Sequence, residues 1–135
     1  MQDRYLFKAK RKDSGEWVQG HLITDETDDL KCFIGYIMGT DEEGTPHDID
    51  VVLVDPETIC QCTGLKDKNG TLIWENDIVA YWDCTKEDYV IAWEQNKACF
   101  EYQEYSCSMM NFDELSGCEV EVIGNIFDNP ELLEE

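Results

Sequence analysis

The sequence predicts an all-β fold: a small SH3-like barrel with an additional N-terminal β-hairpin and sheet region, and at most one short helix. Apolar and aromatic residues alternate at period two far more often than they recur at helical spacing. Turn signals, DSG at 13–15, NG at 69–70 and ND at 76–77, cut the alternating stretches into short runs. At 135 residues, with four Trp, six Tyr and five Phe, the chain has the size and apolar content of one domain. The expected division is an N-terminal β region over about 1–58, a barrel region over about 59–127 and a short tail at 128–135.

The first strand places Tyr5, Phe7 and Ala9 on one face, and EWVQGHLI at 16–23 returns as its hairpin partner across the DSG turn. Residues 24–29, TDETDD, have nothing apolar to bury and read as a surface loop, after which KCFIGYIM from Lys31 reads as a buried strand. Residues 39–50, GTDEEGTPHDID, are polar and glycine-bearing and are expected to be a mobile loop. Two β runs follow at 50–54 and 57–62, broken at Asp55-Pro56, where proline removes a ladder donor.

From Thr63 the sequence reads TGLKDKNGTLIWENDIVAYWD. Asn69-Gly70 suits a reversal because both residues accept positive φ, and Asn76-Asp77 marks a second turn. Beyond it Ile78, Ala80 and Trp82 face one side and Val79 and Tyr81 the other. EQNK at 94–97 joins two further strands into a meander, the ingredient of a small SH3-like barrel. MMNFDELS at 109–116 is the one stretch compatible with a short helix, and EVEVIGNIF at 119–127 ends the pattern with a bend at Gly124.

The net charge of −21 is unevenly spread: five of the ten Lys and Arg residues lie between Arg4 and Lys12. Such a field repels phosphate backbones and attracts cationic partners, so nucleic acid is a disfavoured partner. No apolar run reaches the roughly 18 residues of a membrane helix, and the start, MQDRYLFKAKRKD, carries charges where a signal peptide is apolar. Seven cysteines without framework spacing fit reduced thiols. A cytoplasmic protein without a membrane partner is therefore expected.

Three segments carry a resemblance: FKAKRKDSGEWVQGHLI, ETICQCTGLKDKNGTLIWENDIV and EVIGNIFDNPELL. Together they resemble the YopX family of small phage and prophage proteins. That resemblance implies an all-β fold with an SH3-like barrel, a phage or prophage origin in a bacterial host, and no established activity to carry over. The family pattern has glycine where this chain has Asn76, and glycine and an aromatic where it has Cys60 and Cys62. Asparagine is the next best residue for a left-handed turn, and the cysteines fit packing.

No constellation of reactive residues stands out. Cys60 and Cys62, one residue apart on a strand, share a face and lack the turn spacing of a zinc site with His21 or His47. Thiols in acidic surroundings lack the cation a catalytic thiolate needs. Asp41, Glu42, Glu43, Asp48 and Asp50 lack the ligand order of a calcium loop. No catalytic residue, cofactor or metal is expected, and the chain does not read as an enzyme. The candidate interaction surface is Asp77, Trp74, Tyr81, Trp82 and Trp93, though Asp77 also reads as a turn residue accepting backbone hydrogen bonds and the rings as core. Lys8, Lys10, Arg11 and Lys12 form the candidate basic patch. The leading expectation is an acidic protein-interaction module with an unknown protein partner or copies of itself. The alternatives are direct nucleic-acid binding by the barrel, or an acidic mimic of nucleic acid that inhibits a host protein.

Overall fold

The computed structural model describes residues 3–28, 30–82, 86–104, 109–111 and 120–133, with the backbone alone at 82, 86–87, 104 and 109–111. It divides into two compact units, Asp3–Gln61 and Cys62–Glu135. The described strand pairs are all antiparallel. Among the described residues no helix is long and apolar enough to cross a membrane.

In the first unit β1 (Phe7–Lys10), β2 (Trp17–Thr24), β3 (Cys32–Thr40), β4 (Pro46–Val54) and the start of β5 (Cys60–Lys66) lie in the order β4-β3-β2-β1-β5. The DSG hairpin forms, with Gly15 at φ 74°. Tyr5 sits in a 3-10 turn before β1 and is exposed, so Phe7 and Ala9 alone carry the expected inward face. β2 changes partner midway: Trp17 to Gly20 pair with β1, and His21 to Thr24 pair with β3. Gly20 stands at that change, where a Cβ would collide with the Gly35 carbonyl oxygen and lie 3.0 Å from Ile34 Cγ2. The curl brings the end of β1 to the far edge of β4. Arg11 bridges Val54, the Lys12 N–H donates to Leu53 O at 3.0 Å, and the Asp55 N–H donates to Lys10 O at 2.9 Å. Inside lie Ala9, Cys32, Ile34, Val52 and Val54, flanked by Phe7, Val18, Leu22, Tyr36 and Ile59. Each larger aliphatic among them contributes about 1.5–3 kcal/mol by leaving water.

The polar stretch 39–50 is not the long loop that its composition predicts. β3 runs to Thr40 and β4 begins at Pro46, in register through Ile37↔Ile49 and Tyr36↔Asp50. The Tyr36 hydroxyl donates to Asp50 Oδ2 at 2.8 Å, so the polar side chains find partners within a ladder. At Asp55-Pro56 the chain leaves β4 as expected, in a 3-10 turn whose first residues are held by the Asp55 side chain.

In the second unit the end of β5 pairs with β6 (Leu72–Trp74). A five-stranded sheet joins β7 (Asp77–Trp82), β8 (Lys86–Glu94), β9 (Cys99–Glu104), β10 (Met109–Asn111) and β11 (Val120–Asn125) in the order β10-β9-β8-β7-β11. Val79 and Tyr81 share the core face as their alternation predicts, with Ile73, Tyr89, Ile91, Tyr102 and Val120. Tyr89 meets Tyr102 edge-on at 5.9 Å between centroids. The order is linear, so among the described residues the expected barrel does not close. Met109–Asn111 pairs with β9 instead of opening a helix, because its backbone completes an edge ladder; residues 112–116 of that expected helix lie outside the described residues.

The β3–β4 and β5–β6 hairpins share one turn, read as Asp-x-x-Gly-Thr at 41–45 and at 67–71. In each, the aspartate Oδ1 accepts the N–H groups two and four residues on, at 3.0 and 2.8 Å from Asp41 and at 2.9 Å twice from Asp67. The glycine takes positive φ, 85° at Gly44 and 83° at Gly70, and donates its N–H back to the aspartate carbonyl. The reversal expected of Asn69-Gly70 thus forms with a different division of labour: only Gly70 is left-handed, and the Asp67 carboxylate closes the loop.

Asn76 does adopt the left-handed turn, at φ 70°. Its N–H donates to Ile91 O at 2.7 Å and its carbonyl accepts from the Ile126 N–H at 3.1 Å, so the turn ties β8 to the segment after β11. Asn76→Gly is expected to change stability by less than about 1 kcal/mol, and Asn76→Val to cost about 1–2 kcal/mol, because a β-branched side chain resists positive φ. Urea denaturation of both variants checks this difference.

Candidate functional site

The first sheet has a second face, and that face is apolar too. Directly paired residues of an antiparallel ladder share a face, so the registers Ile23↔Phe33↔Leu53, His21↔Gly35↔Val51 and Ile37↔Ile49 define three adjacent rows across β2, β3 and β4. Ile23, Ile37, Ile49, Val51 and Leu53 are all exposed there, from 40% at Leu53 to 62% at Ile49. They make up five of the ten exposed large hydrophobic residues among those described. Scattered apolar side chains on a surface need no explanation, but a contiguous registered set does.

Gly35 gives the face its relief. With no side chain in the middle row it leaves a hollow of about 180 Å³ lined by His21, Ile23, Gly35, Tyr36, Ile37 and Ile49. A Cβ there would lie 2.9 Å from Ile23 Cδ1, so the Ile23 side chain leans over the glycine. The face runs between two acidic turns, residues 25–28 joining β2 to β3 and residues 41–45 joining β3 to β4. Asp25 accepts from both the hydroxyl and the N–H of Thr27, and these bonds hold its carboxyl below the usual range.

The residues of the candidate basic patch make different contacts. Lys8 and Lys10 lie over the Trp17 ring, with Nζ 4.8 and 5.4 Å from its centre. Arg11 turns instead to Asp13, with Nε and one terminal nitrogen on its two carboxylate oxygens at 3.1 and 3.3 Å. That hydrogen-bonded pair raises the guanidinium and lowers the carboxyl from their ordinary values. Lys12 lines an open cleft of about 350 Å³ with Arg11, Asp13, Asp50 and residues 51–53. Tyr36 hands its proton toward Asp50, and this bond raises the phenol above its ordinary value.

Of the candidate interaction residues, Trp74 and Asp77 are buried. Asp77 Oδ2 accepts the Trp74 N–H at 2.8 Å and closes the turn between β6 and β7, which spends its carboxylate inside the unit. Tyr81 is half-buried against the core. Trp93 is exposed, stands edge-on to Phe100 at 5.1 Å, and donates its indole N–H to Gln95. Trp82 ends β7, and its side chain lies outside the described residues. Cys60 and Cys62 are buried, each with its thiol directed at a backbone carbonyl, Thr58 and Ile73 respectively.

Sequence reasoning misses the apolar face although its signal is present. The runs CFIGYIM at 32–38 and IDVVLV at 49–54 are apolar at both parities, which reads as a strand covered on both sides. Only the folded sheet shows that the side chains of one face are exposed.

Comparison with known proteins is consistent with this architecture. The crystal structure of protein EF1440 from Enterococcus faecalis is similar, with 25% sequence identity, a TM-score of 0.58, and a match that covers 95% of this chain and 96% of that one. No curated protein matches the chain. The family model described as YopX protein matches residues 6–134. With that match spanning nearly every residue, the chain belongs to the YopX family.

Proposed function

We propose that this chain is a non-enzymatic protein-interaction module of phage or prophage origin, working in the bacterial cytoplasm, and that its contact surface is the outer face of β2, β3 and β4. The observation that carries the reading is the set Ile23, Ile37, Ile49, Val51 and Leu53, exposed at adjacent registered positions of one sheet. Keeping such a set in water is costly, and a protein surface of matching shape relieves that cost. The surrounding acidic turns favour a cationic partner by long-range attraction. In the second unit, the β7–β8–β9 meander with β11 added on β7 is the strand set of an opened SH3-like barrel, and we read it as a scaffold.

Ile37→Lys tests the reading, because Ile37 is 55% exposed and its replacement is expected to leave the thermal midpoint nearly unchanged. The wild-type chain immobilised in a bacterial lysate is expected to retain a partner that the variant loses at least tenfold, or to sediment as an oligomer that the variant dissolves. Equal retention and equal mass for the two proteins would show that contact is made elsewhere.

A further inference from the structure

We propose that β4 is an acceptor edge for an extended protein segment in which basic and apolar residues alternate, added as an extra antiparallel strand along residues 48–52. The proposal rests on the reading of the outer face as a contact surface and specifies how a partner engages it.

The backbone directions come first. Leu53 O accepts from Lys12 and the Asp55 N–H reaches Lys10, so both residues turn their peptide groups away from β3. Peptide groups alternate along a strand, so those of Val51 and Ile49 point the same way. β4 is the last strand of its sheet, and only its final residues meet the end of β1. Among the described residues no backbone group is paired with Ile49 or Val51 on that side. Where the Arg11–Asp13 turn parts from β4, the cleft of about 350 Å³ opens between them. An entering strand has room to start there.

Edges of this length are usually blunted by lysine, proline or a bulge. Pro46 and the register shifts beside it blunt the start of β4, and from Asp48 through Val54 neither proline nor lysine follows. An edge left in this state is the template used in strand addition, where main-chain bonds supply affinity and alternate side chains supply selectivity.

The side chains then define the occupant. On the outer face Ile49, Val51 and Leu53 ask for apolar neighbours. At the intervening positions Asp48 and Asp50 bring negative charge to the edge, Asp50 while accepting from the Tyr36 hydroxyl and Asp48 beside His47, and this charge favours lysine or arginine on the new strand. A second copy of β4 would bring its own Asp48 and Asp50 to that place on a chain of net charge −21, so like charges oppose self-addition.

The test titrates a capped heptapeptide of alternating lysine and valine into the full chain, with an alternating glutamate and valine peptide as its control. Amide NMR shifts, hydrogen exchange and sedimentation are followed at about 50 mM and about 300 mM salt. The lysine peptide is expected to bind, to weaken at the higher salt, and to slow exchange of the Ile49 and Val51 amides, while the glutamate peptide does not bind. Val51→Pro removes an N–H that points away from β3 and is expected to weaken binding at least tenfold with the circular dichroism unchanged. If that variant is disturbed, exchange protection in the wild-type complex decides: unprotected Ile49 and Val51 amides overturn strand addition. Binding lost in Ile37→Lys but kept in Val51→Pro overturns it too, while leaving the contact face intact. Binding unchanged in both variants overturns both readings. A dimer of the chain alone that Val51→Pro dissolves overturns the choice of occupant.

Discussion

Asp67→Ala is expected to destabilise the second unit by about 3–5 kcal/mol, a large part of the whole stability of a small domain. The Asp67 side chain is 5% exposed, and its carboxylate accepts from three backbone N–H groups, those of Asn69, Thr71 and Val122, each at 2.9 Å. Removing it orphans the donors in the β5–β6 turn and breaks one of the ties between that turn and β11, the bond from Val122. The effect is also predicted to depend on pH. Burial alone would raise the carboxyl, but the bonds from Val122, Thr71 and Asn69, with help from the Lys68 charge, outweigh it and hold the group below its ordinary value. A carboxyl depressed in the folded state contributes fully above its unfolded value, near 3.9, and its contribution fades as pH falls through the lower folded value. Urea denaturation at neutral pH and at about pH 3 checks both points: the gap between wild type and Asp67→Ala should narrow in acid. A constant gap would mean that the ionised form is not what holds the loop.

Gly20→Ala is expected to cost about 3 kcal/mol or more, an unusual penalty for one methyl group. The obstacle is the Gly35 carbonyl, which belongs to the backbone and cannot rotate away as a side chain would. β2 leaves β1 and joins β3 at this residue, so relieving the collision means separating two strands. Gly44→Ala is the matched comparison: its added Cβ meets nothing within 4 Å, and its φ of 85° alone sets the cost. Thermal unfolding should rank Gly20→Ala well below Gly44→Ala. The reverse order would show that β2 and β3 do not approach so closely.

Local features of the fold are legible in the sequence because their causes are local. The DSG hairpin, the break at Asp55-Pro56, the hairpin over 94–97 and the left-handed Asn76 each follow from a few neighbouring residues. Partner choice is not legible. Nothing within residues 39–50 announces that they continue a ladder, because the cause is the opposite strand, with Tyr36 reaching Asp50 and Ile37 facing Ile49. Asp67 is hidden by its neighbours: Asn69-Gly70 is the louder turn signal, although the aspartate two residues earlier does the closing. The same limit applies to the candidate site. Trp74 and Asp77 sit in the most distinctive segment and are buried, whereas the exposed face is made of ordinary aliphatic residues whose meaning depends on a missing cover. The basic run at 8–12 looks like one patch because it is contiguous in sequence, yet a strand and a turn send its members in different directions.

The Asp-x-x-Gly-Thr loop occurs twice with different outside ties, and the difference shows where the chain can accept change. At 67–71 both middle residues are committed, Lys68 and Asn69 each reaching Glu121 of β11, at 3.7 and 3.3 Å. At 41–45 the middle pair is Glu42-Glu43, exposed, with loop closure left to Asp41 and Gly44. A fluorophore or spin label attached at position 42 or 43 would therefore ride on a hydrogen-bonded turn next to the start of β4, reporting the arrival of a guest without altering the frame that receives it.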